Sequence, residues 1–221
     1  MALNTAELVT VLASRSPARL SVLRAAGIDP EVFVSGVDEA AVEVSSAHLG
    51  PAGIVVALAQ AKADAVLPAV IAAHPDAVVI GCDSMLLLGG RLRGKPADDQ
   101  QARRDWVEMS GATGDLLTGH AVVLVRAGQV VARAAAHERT GIRFGTPTDD
   151  EITAYLATGE PLEVAGGLTI DGYGGWFVDG IDGDHSSVIG ISLPLTRRLL
   201  REVGIGVTDL WRVRPDVSAG S

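Results

Sequence analysis

Leu8-Val9-Thr10-Val11-Leu12-Ala13-Ser14-Arg15-Ser16-Pro17-Ala18-Arg19 is the stretch from which the rest of the chain can be ordered. Residues 8–13 are mostly apolar and rich in β-formers, which predicts a buried strand. Ser14 and Ser16 then bring hydroxyls. Pro17 suits the first position of a helix, where its missing N–H has no partner to lose. Gly27 closes that helix. Strand, tight turn and helix together open an α/β chain. Free N–H groups and the positive end of the helix dipole at such a turn suit an anion such as phosphate. Arg19 lies about one turn in from Pro17, so its fork can reach an anion held there. Ser16-Pro17 on its own is equally ordinary helix-start grammar.

Outward from this unit, Val32-Phe33-Val34 predicts a short strand that leads to Val37-Asp38-Glu39. A long helix is expected over 51–73, with a break at Pro68. Ala77-Val78-Val79-Ile80-Gly81 reads as a buried strand ending at Cys82-Asp83-Ser84, and Met85-Leu86-Leu87-Leu88 as a second strand turning at Gly89-Gly90. Residues 97–109 read as helix. Segments 119–127 and 129–144, separated by Gly128, read as a long hairpin. Thr148 and Glu151 form a capping box for a helix that ends by Gly159. The glycine-dense stretch 166–190 mixes turns with short strands, and a last helix covers 193–203. Alternating helices and strands with a hairpin in the middle predict an α/β fold on a mixed sheet. One domain over 1–213 is expected, with a frayed tail at 214–221.

With 221 residues there is enough chain for one substantial core, and with 48% hydrophobic but only 4% aromatic residues that core is aliphatic. A net charge of −9 argues against general binding of nucleic acid, without opposing a small phosphorylated ligand. Cys82 is the only cysteine, so no intrachain disulfide forms, which fits a cytoplasmic protein. The opening Met1–Glu7 lacks the basic-then-apolar order of a signal peptide. Lys62, Asp64, Pro68 and Asp76 interrupt the apolar stretch 54–80, so it is expected to be a buried helix and strand and not a membrane span.

Several residues carry chemistry on this reading, each beside a plainer one. Asp83 at a strand end is placed where open α/β sheets bind ligands, and a carboxylate there can hold Mg²⁺; a turn-capping Asp is the alternative. Glu39 is a solvated loop acid alone and a second metal ligand if paired with Asp83. Gly89 to Lys95 follows most of a P-loop pattern, but Pro96 lacks both the hydroxyl and the N–H that the loop requires, which excludes that reading. Lys95 in the rigid Gly94-Lys95-Pro96 turn remains a candidate phosphate cation. Lys62 in an Ala-rich helix is either a snorkelling side chain or a polyphosphate contact. No His pairs with Cys82 or another His at zinc spacing.

In chain order, Leu12-Ala13-Ser14-x-Ser16-Pro17-x-Arg19, Val37-Asp38-Glu39, Ala61-Lys62-Ala63, Ile80-Gly81-Cys82-Asp83-Ser84, Gly94-Lys95-Pro96, Ser110-Gly111, Thr118-Gly119, Glu160-Pro161-x-x-x-Ala165-Gly166 and Gly183-Asp184 before Val188-x-Gly190 form an ordered set. That set resembles the Maf family of nucleoside triphosphate pyrophosphatases, related to the inosine triphosphate pyrophosphatases. The resemblance implies an elongated mixed sheet flanked by helices, in two lobes with a cleft between them. It implies a cytoplasmic enzyme, often a homodimer, that cleaves a nucleoside triphosphate to monophosphate and pyrophosphate with a divalent cation, Mg²⁺ or Mn²⁺. By match, Ser14, Ser16, Arg19, Glu39, Lys62, Asp83 and Lys95 carry the phosphate and metal chemistry, with Asp83 as acid/base and Asp83 with Glu39 at the metal.

The resemblance weakens where the base is read. The branch acting on dTTP and UTP has Arg, Thr and Gln where this chain has Ala18, Ser84 and Asp171, and the branch for methylated guanine nucleotides has Trp, Gln and Glu there. Ser84 keeps the hydroxyl of the first and Asp171 the acidic acceptor of the second, so the base is open, with Ser84 favouring a pyrimidine. Two other functions compete: a nucleotide-binding regulator of septum formation with little turnover, and a generic phosphatase or sugar-phosphate enzyme. Retention of both acids and all three cations favours the pyrophosphatase.

Overall fold

A computed structural model describes residues 8–212; the expected tail at 214–221 and the opening Met1–Glu7 lie outside them. Its centre is an open, mixed seven-stranded sheet. The strands are β1 (Val9–Ala13), β2 (Glu31–Val32), β3 (Ala77–Leu88), β4 (Arg91–Arg93), β5 (Thr113–Arg126), β6 (Gln129–Phe144) and β7 (Val178–Asp182), in the order β2-β1-β3-β5-β6-β7, with β4 beside β3. β1 is parallel to β2 and β3, and the remaining pairs are antiparallel. The helices are α1 (Pro17–Ala25), α2 (Glu39–Ser46), α3 (Gly50–Ala73), α4 (Asp99–Met109), α5 (Asp149–Leu156), α6 (His185–Ile189) and α7 (Leu193–Glu202). The α/β class expected from the alternation is the class found.

β3 is buried along nearly its whole length because helices cover both faces of the sheet, which is why its sequence shows no polar alternation. The pleat still sorts its side chains. Ala77 and Val79 join Ala59, Ala63, Val66 and Val70 of α3 on one face. Val78, Ile80 and Cys82 join Leu23 of α1 and Leu195 and Leu199 of α7 on the other. Further along, Leu86 and Leu88 pack with Trp106 of α4 and Tyr155 and Leu156 of α5.

Helix α3 touches the sheet through glycine. A Cβ on Gly81 would collide with the carbonyl oxygen of Ala59, and one on Gly119 with that of Val55. Both positions therefore let helix and sheet approach backbone to backbone. The buried stripe of α3 runs Val55, Leu58, Ala59, Lys62, Ala63, Val66, Leu67, Val70, the spacing of one helical face, and Lys62 is its one charged member. Length and composition alone would let 39–73 cross a membrane, but this stripe lies against β3 and β5.

Some local expectations give way. Pro68 does not break α3, because its side is exposed and water can satisfy the carbonyl whose partner it removes. The strand expected at 32–34 is only Glu31–Val32. Residues 77–84 and 85–88 are one strand, so Asp83 sits in the middle of β3 and not at its end. Antiparallel pairing with β5 runs without interruption from Ala77 to Leu87 and carries the strand straight through the polar Asp83-Ser84. Glu39 lies in the first turn of a helix capped by Asp38, whose side chain accepts from the Ala41 N–H, and not in a loop.

Candidate active site

The place of Asp83 follows from strand pairing. On one side of β3, β1 ends with Ala13 opposite Gly81, and the antiparallel β4 ends with Arg93 opposite Leu86. Residues 82–85 therefore lack a strand partner on that side, although β5 pairs them on the other. A gap in the middle of a sheet leaves backbone groups and side chains facing a crevice, much as a strand end does at a topological switch point. Here the crevice is a cleft of about 1400 Å³. Ser14, Ser16, Ala18, Arg19, Glu39, Lys62, Asp83, Ser84, Lys95 and Asp171 all line it. The structure thus brings together every site residue expected from the sequence.

They sit in separate groups within it. Asp83 shares the pleat face of Gly81, so it points at α3 and meets Lys62. Lys62 Nζ donates to Asp83 Oδ1 at 2.5 Å and lies 2.9 Å from Glu39 Oε1. Lys62 and Asp83 are buried while Glu39 is half exposed at the cleft edge. Lys62 therefore does not snorkel; its ammonium is fixed between two carboxylates. Burial pushes the Asp83 carboxyl above its usual pKa, against the opposing pull of Lys62 and Arg19.

Ser84, one residue on, faces the other side of the sheet, and so does Arg19. Arg19 Nη1 donates to the Cys82 carbonyl at 2.8 Å and to Ser14 Oγ at 3.1 Å, Nη2 to Ser84 Oγ at 3.3 Å, and Nε to the Gly190 carbonyl at 2.9 Å. Four of its hydrogen bonds thus go to the protein, and one of them satisfies a Cys82 carbonyl that no strand reaches. In this structure Arg19 ties the turn at Ser14, the β3 gap and the Gly190 carbonyl together, and one N–H of its five is left over. Ser16 Oγ accepts from the Arg19 N–H and caps α1, as its helix-start reading required. Ser14 Oγ accepts from the Ser16 N–H. Arg15, between them, is exposed on the cleft wall.

Lys95 and Asp171 lie on other parts of the lining. Lys95 is 61% exposed, and its nearest acid is Glu163, at 3.9 Å. Asp171 is exposed on a loop between short 3₁₀ turns.

Glu43 escaped the sequence reading. It stands one turn after Glu39 on α2 and also lines the cleft. Burial raises its pKa, and the charges of Asp83 and Glu39 raise it further. The Glu-x-x-x-Glu spacing was the available signal, but it says nothing until residues 39–46 are known to be helical.

Two carboxylates therefore pair with one ammonium on this face, and a third, Glu43, lies close enough to feel their charges. Such a hard-oxygen set fits Mg²⁺ or Mn²⁺. Among the described residues no three acidic, His or Cys side chains already form a cage.

Known proteins resemble this chain over nearly all of its described length. The sequence profile of the family described as Maf-like protein matches residues 9–203. A protein of Saccharopolyspora erythraea named nucleoside triphosphate pyrophosphatase is 61% identical over 202 residues, covering 91% of this chain and 96% of its own. Proteins of the same name from Nocardia farcinica and Streptomyces coelicolor are 57% and 54% identical, over 91% and 93% of this chain and 96% of each relative. A match that begins in β1 and ends just past α7 takes in every strand and helix described above, and the chain belongs to the Maf-like protein family.

Proposed function

We propose that this chain hydrolyses nucleoside triphosphates to the nucleoside monophosphate and pyrophosphate. The observation that carries this reading is the buried Lys62–Asp83 pair in a cleft of about 1400 Å³. Small-molecule sites span roughly 300–1,000 Å³, so a whole nucleoside triphosphate has room here. The shared name of relatives at 51–61% identity supports the same reaction.

In the reaction, water attacks the α-phosphorus. A bond forms from the water oxygen to that phosphorus as the bond to the α–β bridging oxygen breaks, and pyrophosphate leaves with the electron pair. The water proton passes to Asp83. Lys62 holds Asp83 Oδ1, while Oδ2 takes no hydrogen bond from the described residues and is left to orient the water. A raised pKa suits Asp83 to this proton transfer better than an ordinary surface carboxyl would be suited. Lys62 also offsets charge growing on the phosphoryl oxygens. When bound by Glu39 and Asp83, a divalent cation supplies further neutralisation of the triphosphate.

Ser14, Ser16 and the start of α1 receive phosphate oxygens, with the free N–H of Arg19 and the exposed Lys95 contributing positive charge. Ala18, Ser84 and Asp171 are assigned to the base, with a pyrimidine favoured. The reading includes a cytoplasmic location, supported by the lone buried Cys82, a homodimer, and neither nucleic acid nor membrane as a partner.

The test is pyrophosphate release from standard and modified nucleoside triphosphates with Mg²⁺ or Mn²⁺, beside Asp83→Asn. Equal amounts of pyrophosphate and monophosphate from the wild type alone are expected. Stepwise release of orthophosphate would replace this reading with a phosphatase. Binding without release would replace it with a nucleotide-responsive regulator.

A further inference from the structure

Glu160 belongs to a sequence cluster, Glu160-Pro161, to which the chemistry above gives no task, yet its carboxylate organises a wall of the cleft. Oε1 accepts from the Thr169 hydroxyl and from the Gly174 N–H at 3.1 Å, and Oε2 accepts from the Tyr173 N–H at 3.2 Å. Gly172 lets the carboxylate approach, since a Cβ there would lie 2.5 Å from Oε2. The loop so held, 169–174, contributes Thr169, Asp171 and Gly172 to the cleft.

The flanks of this loop are secured separately. The Gly167 carbonyl accepts from Trp106 Nε1 at 3.0 Å. Phe177 packs edge-on against Trp106 and Tyr155, with ring centres 5.7 and 5.8 Å away. Between these anchors the chain is glycine-rich, its tip from Asp171 to Tyr173 is exposed, and Tyr173 and Trp176 point into solvent at 63% and 86% exposure. Ile170 packs against the core and the Thr169 hydroxyl meets Tyr155 OH, but Asp171 to Tyr173 have no such side-chain anchor, and the charge-assisted hydrogen bonds to the Glu160 carboxylate hold that tip in place.

We infer that Glu160 is a positioning residue, whose carboxylate holds the 169–174 loop in the shape that receives the nucleotide. The inference rests on the pyrophosphatase reading for its kinetic consequence. Glu160 touches neither the Lys62–Asp83 pair nor Glu39, so it bears on substrate affinity and not on the bond-breaking step.

The experiment compares wild type, Glu160→Gln and Glu160→Ala in steady-state pyrophosphate release on the fastest nucleoside triphosphate, with amide hydrogen exchange measured on the same samples. Glu160→Ala is expected to raise KM roughly tenfold, the scale of one lost charged hydrogen bond, with kcat within about twofold. Exchange over 169–174 should quicken while 99–109 stays protected. Glu160→Gln keeps an oxygen for Thr169 and Gly174 but turns an NH₂ towards the Tyr173 N–H, so its KM should fall between the other two. Wild-type KM in Glu160→Ala, or a fall in kcat at constant KM, would overturn the inference. Should Glu160→Ala not fold, Glu160→Gln with wild-type KM and exchange does the same. A wild type without turnover would defeat the pyrophosphatase reading instead. Exchange over 169–174 and the dissociation constant of a non-hydrolysable nucleoside triphosphate would then decide the role of Glu160.

Discussion

Lys62, from the buried stripe of a helix, and Asp83, from the middle of a strand, meet at 2.5 Å with both side chains withdrawn from water. Removing either strands the charge of the other. Lys62→Met is expected to lower stability by about 3 kcal/mol, the scale for breaking a buried pair, and Lys62→Met with Asp83→Asn to recover most of that loss. Urea unfolding of the single and double variants measures both. If the single variant matched wild type, the pair would hold nothing together.

Asp83→Asn alone should fold and lose at least about 100-fold in kcat, since an amide accepts no proton. Its circular dichroism should be unchanged. Turnover near the wild-type rate would remove Asp83 from the reaction.

Because burial raises the Asp83 carboxyl pKa, the proton-accepting form is lost on acidification at a higher pH than an ordinary aspartate would show. The acid limb of kcat/KM should accordingly lie above about pH 4, the usual aspartate value. A limb at or below that pH would contradict the burial of this group.

Stability carries a separate pH signature from His120. It is fully buried, Nε2 accepts from the Ser192 N–H at 2.9 Å, and burial lowers its pKa from 6.5 to about 4. The unfolded chain binds the proton first as pH falls, so this contribution is complete above pH 6.5 and is lost between there and about 4. Over pH 7 to 5 the loss amounts to about 2 kcal/mol. Urea unfolding at the two pH values checks it, and His120→Gln should show a smaller difference between them.

Gly119→Ala tests the close approach of α3. The new methyl must displace the Val55 carbonyl. Overpacking of this kind costs about 2–3 kcal/mol, and a helix pushed outward carries Lys62 away from Asp83. Thermal unfolding and turnover should fall together. Normal turnover in a destabilised variant would separate helix docking from the site.

Much of this arrangement is written locally. Ser16 and Pro17 announce the start of α1, and Thr148 with Glu151 that of α5, because a cap and its first turn are complete within four residues. The central position of Asp83 is not, since whether a strand continues through a polar pair depends on its pairing with Thr118 and Gly119 of β5, far along the chain. For Lys62 the sequence leaves a snorkelling side chain and a polyphosphate contact both open, and its place in a buried stripe between two acids shows only in the fold. The sequence showed Arg19 at the right spacing for an anion, but the carbonyls of Cys82 and Gly190 that occupy its fork come from distant parts of the chain. Glu43 was hidden because Glu39–Ser46 is a short helix of middling propensity, held by its packing on α3.

Strands β3, β5 and β6 pass without a break beneath the cleft, and eleven successive residue pairs bind β3 to β5. A swinging closure of one half of the molecule onto the other would have to shear that ladder, since among the described residues no linker interrupts β3, β5 or β6. On the proposed reading the Ser14–Arg19 turn is tied to this frame, and any adjustment of grip falls to the segments suspended from it: the stretch before α2, the Gly94-Lys95-Pro96 turn and the loop held by Glu160. A bed so bound would keep Asp83 in place while those segments moved, so on the proposed reading a change of nucleotide need not disturb the alignment of the reacting groups.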